Sequence, residues 1–140
     1  MRKDFVFQAK RDNLPEILKT VSDAFSPYVS DEILFARLKL CVEEIVVNIA
    51  DYAYTNDGGA VYISCDFDEN TKILKLDFAD EGTPYNPLEN QIDVDIDADI
   101  SDRKVGGLGI FLYTTIMDTV EYRYENGKNY LMTTKYVEKV

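Results

Sequence analysis

Residues 60–68, AVYISCDFD, and 72–80, KILKLDFAD, alternate apolar and polar side chains, and only Glu69-Asn70-Thr71 separates them. A period of two belongs to strands with one buried face, and so short a separator makes the pair a hairpin. The pattern returns near the C-terminus, where TVEYRYE (119–125) and YLMTTKYV (130–137) flank Asn126-Gly127-Lys128-Asn129. At the other end KDFVFQA (3–9) supplies a fifth alternating run. A sheet built from these runs has one apolar face, and something must cover it.

Helices supply the cover. One is predicted from about Asn13, with Pro15 in its first turn, to the Ser26-Pro27-Tyr28 break. A longer one starts with Ser30 as N-cap, carries Asp31 and Glu32 in its first turn, and runs towards Tyr52. Its residues Leu34, Leu38, Cys41, Ile45, Ile49 and Tyr52 recur at three- and four-residue steps as one apolar stripe. A third helix, through about Asp118, opens at Gly106, Gly107 and Gly109. The expected fold is α+β, a two-layer sandwich with helices on one face of a mostly antiparallel mixed sheet, in one domain over 1–140.

Several function classes drop out. The net charge is −11, from 15 basic and 26 acidic residues, which speaks against nucleic acid or an anionic membrane as partner. No apolar run reaches the length of a membrane span, and MRKDFVFQAK lacks the apolar core of a secretory signal. Cys41 and Cys65 sit in apolar-patterned segments without CxxC spacing, so reduced, buried thiols in the cytoplasm are expected ahead of the alternative, a disulfide between them. The chain has no histidine. That removes Ser-His-Asp and Cys-His catalysis, histidine-ligated metals and a phosphohistidine relay, and leaves acid–base work to a carboxylate.

Three motifs carry chemistry. In VEEIVVNIADYAY, Glu44, Asn48 and Asp51 fall at i, i+4 and i+7 and share one helix face. Such a face reads first as solvated, but Asn48 interrupts an apolar run, and an amide there is either satisfied by a partner or kept to bind one. In FADEGTPYNP a strand ends on Asp80 with Gly82 two residues on. This is either an Asp-x-Gly turn or a carboxylate placed for an exocyclic amine such as that of adenine, with Gly82 admitting a flat ring. In KVGGLGIFL the glycines Gly106, Gly107 and Gly109 open a helix. GGLG is neither a Walker A loop nor GxGxxG, yet side-chain-free backbone at a helix N-terminus suits an anion as well as it suits close packing on the sheet.

Between the last two motifs, residues 81–105 carry Gly82, Pro84, Pro87 and many acids and read as a long loop, a length usually reserved for a functional lid. Residues 88–105, with Asp93, Asp95, Asp97, Asp99 and Asp102, are expected to be its most mobile part without ligand. The D-x-D-x-D spacing there is not a calcium loop, because Ala98 takes the glycine position and Lys104 that of the closing glutamate.

The order of motifs resembles the Bergerat-type ATP-binding fold of gyrase, histidine kinases and mismatch-repair ATPases, and within it the bacterial anti-sigma-factor serine/threonine kinases. EEIVVNIADYAY, DEGTPYNP, GGLGIFLYTTIMDTVEY and the terminal TTKY carry the likeness, over about residues 1–138. The resemblance implies ATP and Mg²⁺, with Asn48 as metal ligand and Glu44 as general base. It further implies Asp80 on the adenine amine, Gly82 beside the ring, and Gly106, Gly107 and Gly109 on the triphosphate. Arg103 and Lys104 are candidates for phosphate contact from the lid. Of Thr133 and Thr134, alternation aims one inward, where it could support Asp80. The implied partners are a sigma factor and an anti-sigma-factor antagonist, and the implied assembly is a homodimer. Two features depart from the family: Tyr52 stands where a histidine is frequent, and the lid is more acidic than a segment folding over a triphosphate should be. The rival reading is an ATP-binding regulatory module that binds protein partners without phosphoryl transfer. The detached ATPase half of a two-component kinase is disfavoured, since no phosphoacceptor histidine exists.

Overall fold

A computed structural model describes residues 2–54, 58–89 and 107–137. Its strands are β1 (Arg2–Gln8), β2 (Ala60–Asp68), β3 (Ile73–Asp80), β4 (Thr119–Glu125) and β5 (Lys128–Tyr136), and its α-helices are α1 (Leu14–Phe25), α2 (Glu32–Asn48) and α3 (Gly107–Ile116). The strands form one sheet in the order β1-β2-β3-β5-β4. Every neighbouring pair is antiparallel, so the parallel pairing that a mixed sheet would need does not occur among the described strands.

Alternation fixes the two faces. Val61, Ile63, Cys65 and Phe67 of β2 and Leu74, Leu76 and Phe78 of β3 are buried against Ile17, Val21 and Phe25 of α1 and Leu38, Cys41, Val42 and Ile45 of α2 in one core. Leu38 is fully buried, and Leu38→Ala is expected to cost about 2–5 kcal/mol through the cavity it leaves. Cys41 and Cys65 are free, buried thiols, and burial pushes Cys41 up to about 12 and Cys65 to about 11.

Three local details differ from the sequence reading, each for a physical reason. Asp31, not Ser30, caps α2, and its carboxylate accepts from the N–H groups of Ile33 and Leu34. Beyond Asn48 the helix widens into a π-turn, Ile49–Ala53, where the Tyr54 N–H bonds Ile49 O five residues back. The extra residue in that turn rotates Tyr52 off the apolar stripe to 39% exposure. At the second hairpin only Asn126 and Gly127 form the turn, with φ of 54° and 77°. Positive φ at both central residues is the type I′ geometry that an Asn-Gly pair accepts most readily. Lys128 and Asn129 therefore belong to β5.

Candidate functional site

β3 delivers Asp80 to the core face, where it is 4% exposed and stands opposite Asn129 of β5. The Asn129 side chain is a four-bond hub. Its Nδ2 donates to Asp80 Oδ1 (2.8 Å) and Thr83 O (2.9 Å), and its Oδ1 accepts from the Tyr85 N–H (3.1 Å) and the Tyr122 hydroxyl. The Gly82 N–H donates to the same Asp80 Oδ1 (2.9 Å). One carboxylate oxygen is thus held by two donors, while among the described residues no hydrogen bond reaches Oδ2, and Asp80 lines a cavity. Burial pushes the Asp80 pKa up, and the two N–H donors pull part of that back.

The loop after Asp80 is tied to the end of the long helix. Thr83 donates to Ala53 O through both its N–H (2.9 Å) and its hydroxyl (3.1 Å), and a Cβ at Gly82 would overlap that same carbonyl. The close approach that demands glycine at 82 is therefore one the chain makes with itself at Ala53. Tyr54 completes the tie: its hydroxyl donates to Ala60 O (2.5 Å) and accepts from the Glu81 N–H (2.8 Å).

The other end of the site is built by α2 and α3. Glu44 is half-buried, and a Cβ at Gly109 would overlap its Oε2, so glycine at 109 lets α3 sit against that carboxylate. Burial and then Glu43 push the Glu44 pKa up, while the Arg11 charge holds it down in part. Asn48, one turn on, is 6% exposed. Among the described residues its buried Nδ2 has no hydrogen-bond partner, and no hydrogen bond reaches its Oδ1. A cavity of about 30 Å³ joins the two ends, walled by Ile45, Asn48, Asp80, Tyr85, Tyr113 and Tyr122. At its rim Tyr52 stacks on Tyr85, with centroids 5.5 Å apart.

The structure thus brings Glu44, Asn48, Asp80 and Gly109 to one site, with Gly82 beside it. Asp51, on the same face by spacing, turns outward in the π-turn and pairs with Arg11 (2.7 Å). Thr133 is the inward member of its pair, but its hydroxyl donates to Leu76 O (2.7 Å), four residues from Asp80 along β3. Thr134 faces the other way and bonds the Thr119 hydroxyl (2.5 Å). Neither threonine supports Asp80; Asn129 does. Gly107 begins α3, while Arg103, Lys104 and Gly106, with lid residues 90–105, lie outside the described residues. The sequence reading missed Asn129, Tyr85 and Tyr113. A two-residue turn at Asn126-Gly127 would have put Asn129 second on its strand, facing inward like Leu131.

Chemically, an acceptor-only oxygen at the bottom of a mostly apolar cavity selects a ligand that presents an N–H there, as the adenine amine does. Among the described residues no group of three or more acidic or thiol side chains could hold a metal ion by itself. An open amide oxygen with no carboxylate cage suits Mg²⁺, which keeps water and phosphate as most of its ligands.

Residues 7–135 match the family described as the histidine kinase-like ATPase domain. The chain belongs to that family. It is 30% identical over 105 residues to proteins named serine-protein kinase RsbW from Bacillus thuringiensis (strain Al Hakam) and Bacillus mycoides (strain KBAB4). Each match takes in 73% of this chain and 64% of the relative, so the matched part of the chain spans less than two-thirds of the length of these relatives. In fold it is similar to the crystal structure of the RsbU and RsbW domains of Rv1364c from Mycobacterium tuberculosis, with a TM-score of 0.70 at 10% identity over all of this chain and 33% of that one. Among the described residues no helix is long and apolar enough to cross a membrane.

Proposed function

We propose that the protein is an ATP-dependent serine/threonine kinase that phosphorylates an anti-sigma-factor antagonist and, in its other state, sequesters a sigma factor, working as a cytoplasmic homodimer. The observation that carries this reading is the cavity shared by Asp80 and Asn48, with Glu44 one turn before Asn48 on α2 and packed against Gly109 of α3. The kinship with relatives named serine-protein kinases supports the choice of acceptor.

In this reading Asp80 Oδ2 accepts a hydrogen bond from the adenine amine, and the Asn129 and Gly82 N–H groups keep its carboxylate in place. Asn48 Oδ1 would hold Mg²⁺, which supplies charge neutralisation on the triphosphate. The glycine-opened N-terminus of α3 presents backbone N–H groups towards the phosphates. Glu44 accepts the proton of the attacking hydroxyl as the serine or threonine oxygen bonds the γ-phosphorus and the bond to the β,γ-bridging oxygen breaks, leaving ADP. Burial keeps Glu44 more basic than an exposed glutamate, which suits a group that must take a proton near neutral pH.

The test is transfer of labelled phosphate from ATP to an antagonist encoded next to this gene. Transfer to a serine or threonine is expected. Binding of ATP and sigma factor without transfer would replace the kinase with the regulatory module.

A further inference from the structure

Three buried side-chain polar atoms lack a hydrogen-bond partner among the described residues: Asn48 Nδ2, Asp77 Oδ1 and the Tyr113 hydroxyl. Asp77 lies on β3 towards the open face of the sheet. The other two line one cavity, Asn48 from α2 at 6% exposure and Tyr113 from α3 at 0%. Burial pushes the Tyr113 hydroxyl well up, and the Asn48 amide within its reach pulls it back, yet the two have not formed a bond of good geometry. Burying a phenol hydroxyl and an amide N–H with nothing bonded to either is unfavourable. Phenylalanine would fill the same volume without that cost, so the ligand-free fold gives no reason for the hydroxyl.

We propose that Tyr113 is a positioning residue for Asn48: its hydroxyl accepts from Nδ2 and so keeps Oδ1 turned to the phosphate end of the site. An amide has two nearly isosteric ends. Without an inner anchor it can rotate its NH₂ towards the bound cation, which repels it. With the anchor, only the oxygen faces outward. Groups that orient a metal ligand from behind commonly matter about 10–100-fold in metal affinity. The inference rests on the kinase reading's assignment of Asn48.

Tyr113→Phe tests it by calorimetric titration of ATP in Mg²⁺ and in EDTA, with thermal melts of the ligand-free protein. The gain in ATP affinity conferred by Mg²⁺ is expected to fall about tenfold or more, the affinity in EDTA to stay as in wild type, and the melting temperature to hold or rise. In an Asn48→Ala background the same substitution should change nothing further, because the hydroxyl acts through that amide. An undiminished Mg²⁺ gain overturns the proposal. So does a variant that melts lower and loses ATP affinity equally in both buffers, since Tyr113 would then be only packing. A wild-type protein that gains nothing from Mg²⁺ sinks the assignment of Asn48 and this inference with it. A wild-type gain that Tyr113→Phe leaves intact sinks the inference alone.

Discussion

The two ends of the cavity are finished to different degrees. At the Asp80 end every hydrogen-bonding position of the Asn129 amide is taken, and Asp80 Oδ1 is clamped by two donors. At the Glu44 end Asn48 Nδ2 and the Tyr113 hydroxyl are buried with no partner among the described residues, and Glu44 is held up in pKa by burial. A saturated network needs no ligand to be stable, so the first end is a preformed recognition element. Idle polar groups are tolerated where something binds to complete them, and in the proposed function the second end is the one that takes the phosphates and their cation. On that proposal, shape is settled before binding at one end and by binding at the other.

The largest expected effect probes the waiting end. Glu44→Ala should lower phosphate transfer to the antagonist by about 10²–10⁴-fold, the usual worth of general-base help. ATP affinity should hold, since this carboxylate touches neither base nor metal in the account. Single-turnover transfer alongside ATP titration checks both, and equal losses in both would place Glu44 among the binding groups.

The next effect probes the finished end. Asn129→Ala leaves Asp80, Thr83 O, the Tyr85 N–H and the Tyr122 hydroxyl without their shared partner, at a cost of roughly 1–3 kcal/mol in stability for buried groups so orphaned. Denaturant unfolding reads that loss. ATP affinity should fall as well, because Asp80 is no longer clamped. An unchanged midpoint would mean that the hub is decorative and the contrast between the ends is false.

The smallest effect is a shift in pH dependence. Glu44 works as a base only when ionised, so transfer should fall as pH drops through its raised pKa. Arg11 favours the ionised form. Removing that charge in Arg11→Gln raises the Glu44 pKa further, and the acid limb of the rate profile should move to higher pH. The melting temperature should barely change, because the Arg11–Asp51 pair is solvent-exposed and such pairs are worth about 0–1 kcal/mol.

Much of this was legible in the sequence where the physics is local. Period-two alternation gave the strands, and the four-residue spacing of Glu44 and Asn48 gave their common face. Failures came where one residue of register decides. Counting four turn residues instead of two at 126–129 hid Asn129, the support of Asp80, and left Thr133 and Thr134 as the only candidates for that role. The π-turn, which no apolar period announces, carried Tyr52 and Asp51 away from the positions a regular helix would give them. Gly82 and Gly109 were singled out for an approaching ring and an anion, with a turn and close packing on the sheet as the alternatives. What approaches them within the chain, Ala53 O and Glu44, depends on tertiary packing that spacing does not encode.

The contrast between the two ends is tested most directly by one calorimetric experiment, titrating ATP with Mg²⁺ and with EDTA into wild type, Asp80→Asn and Asn48→Ala. Asp80→Asn removes a charge-assisted hydrogen bond to the base, so it should weaken binding by roughly 1.5–3 kcal/mol, or about 10- to 150-fold, in both buffers alike. Asn48→Ala should abolish the gain from Mg²⁺ and leave binding in EDTA near the wild-type value. ATP binding indifferent to Asp80→Asn, or losses from both variants confined to Mg²⁺, would contradict a site with a finished base end and a waiting phosphate end.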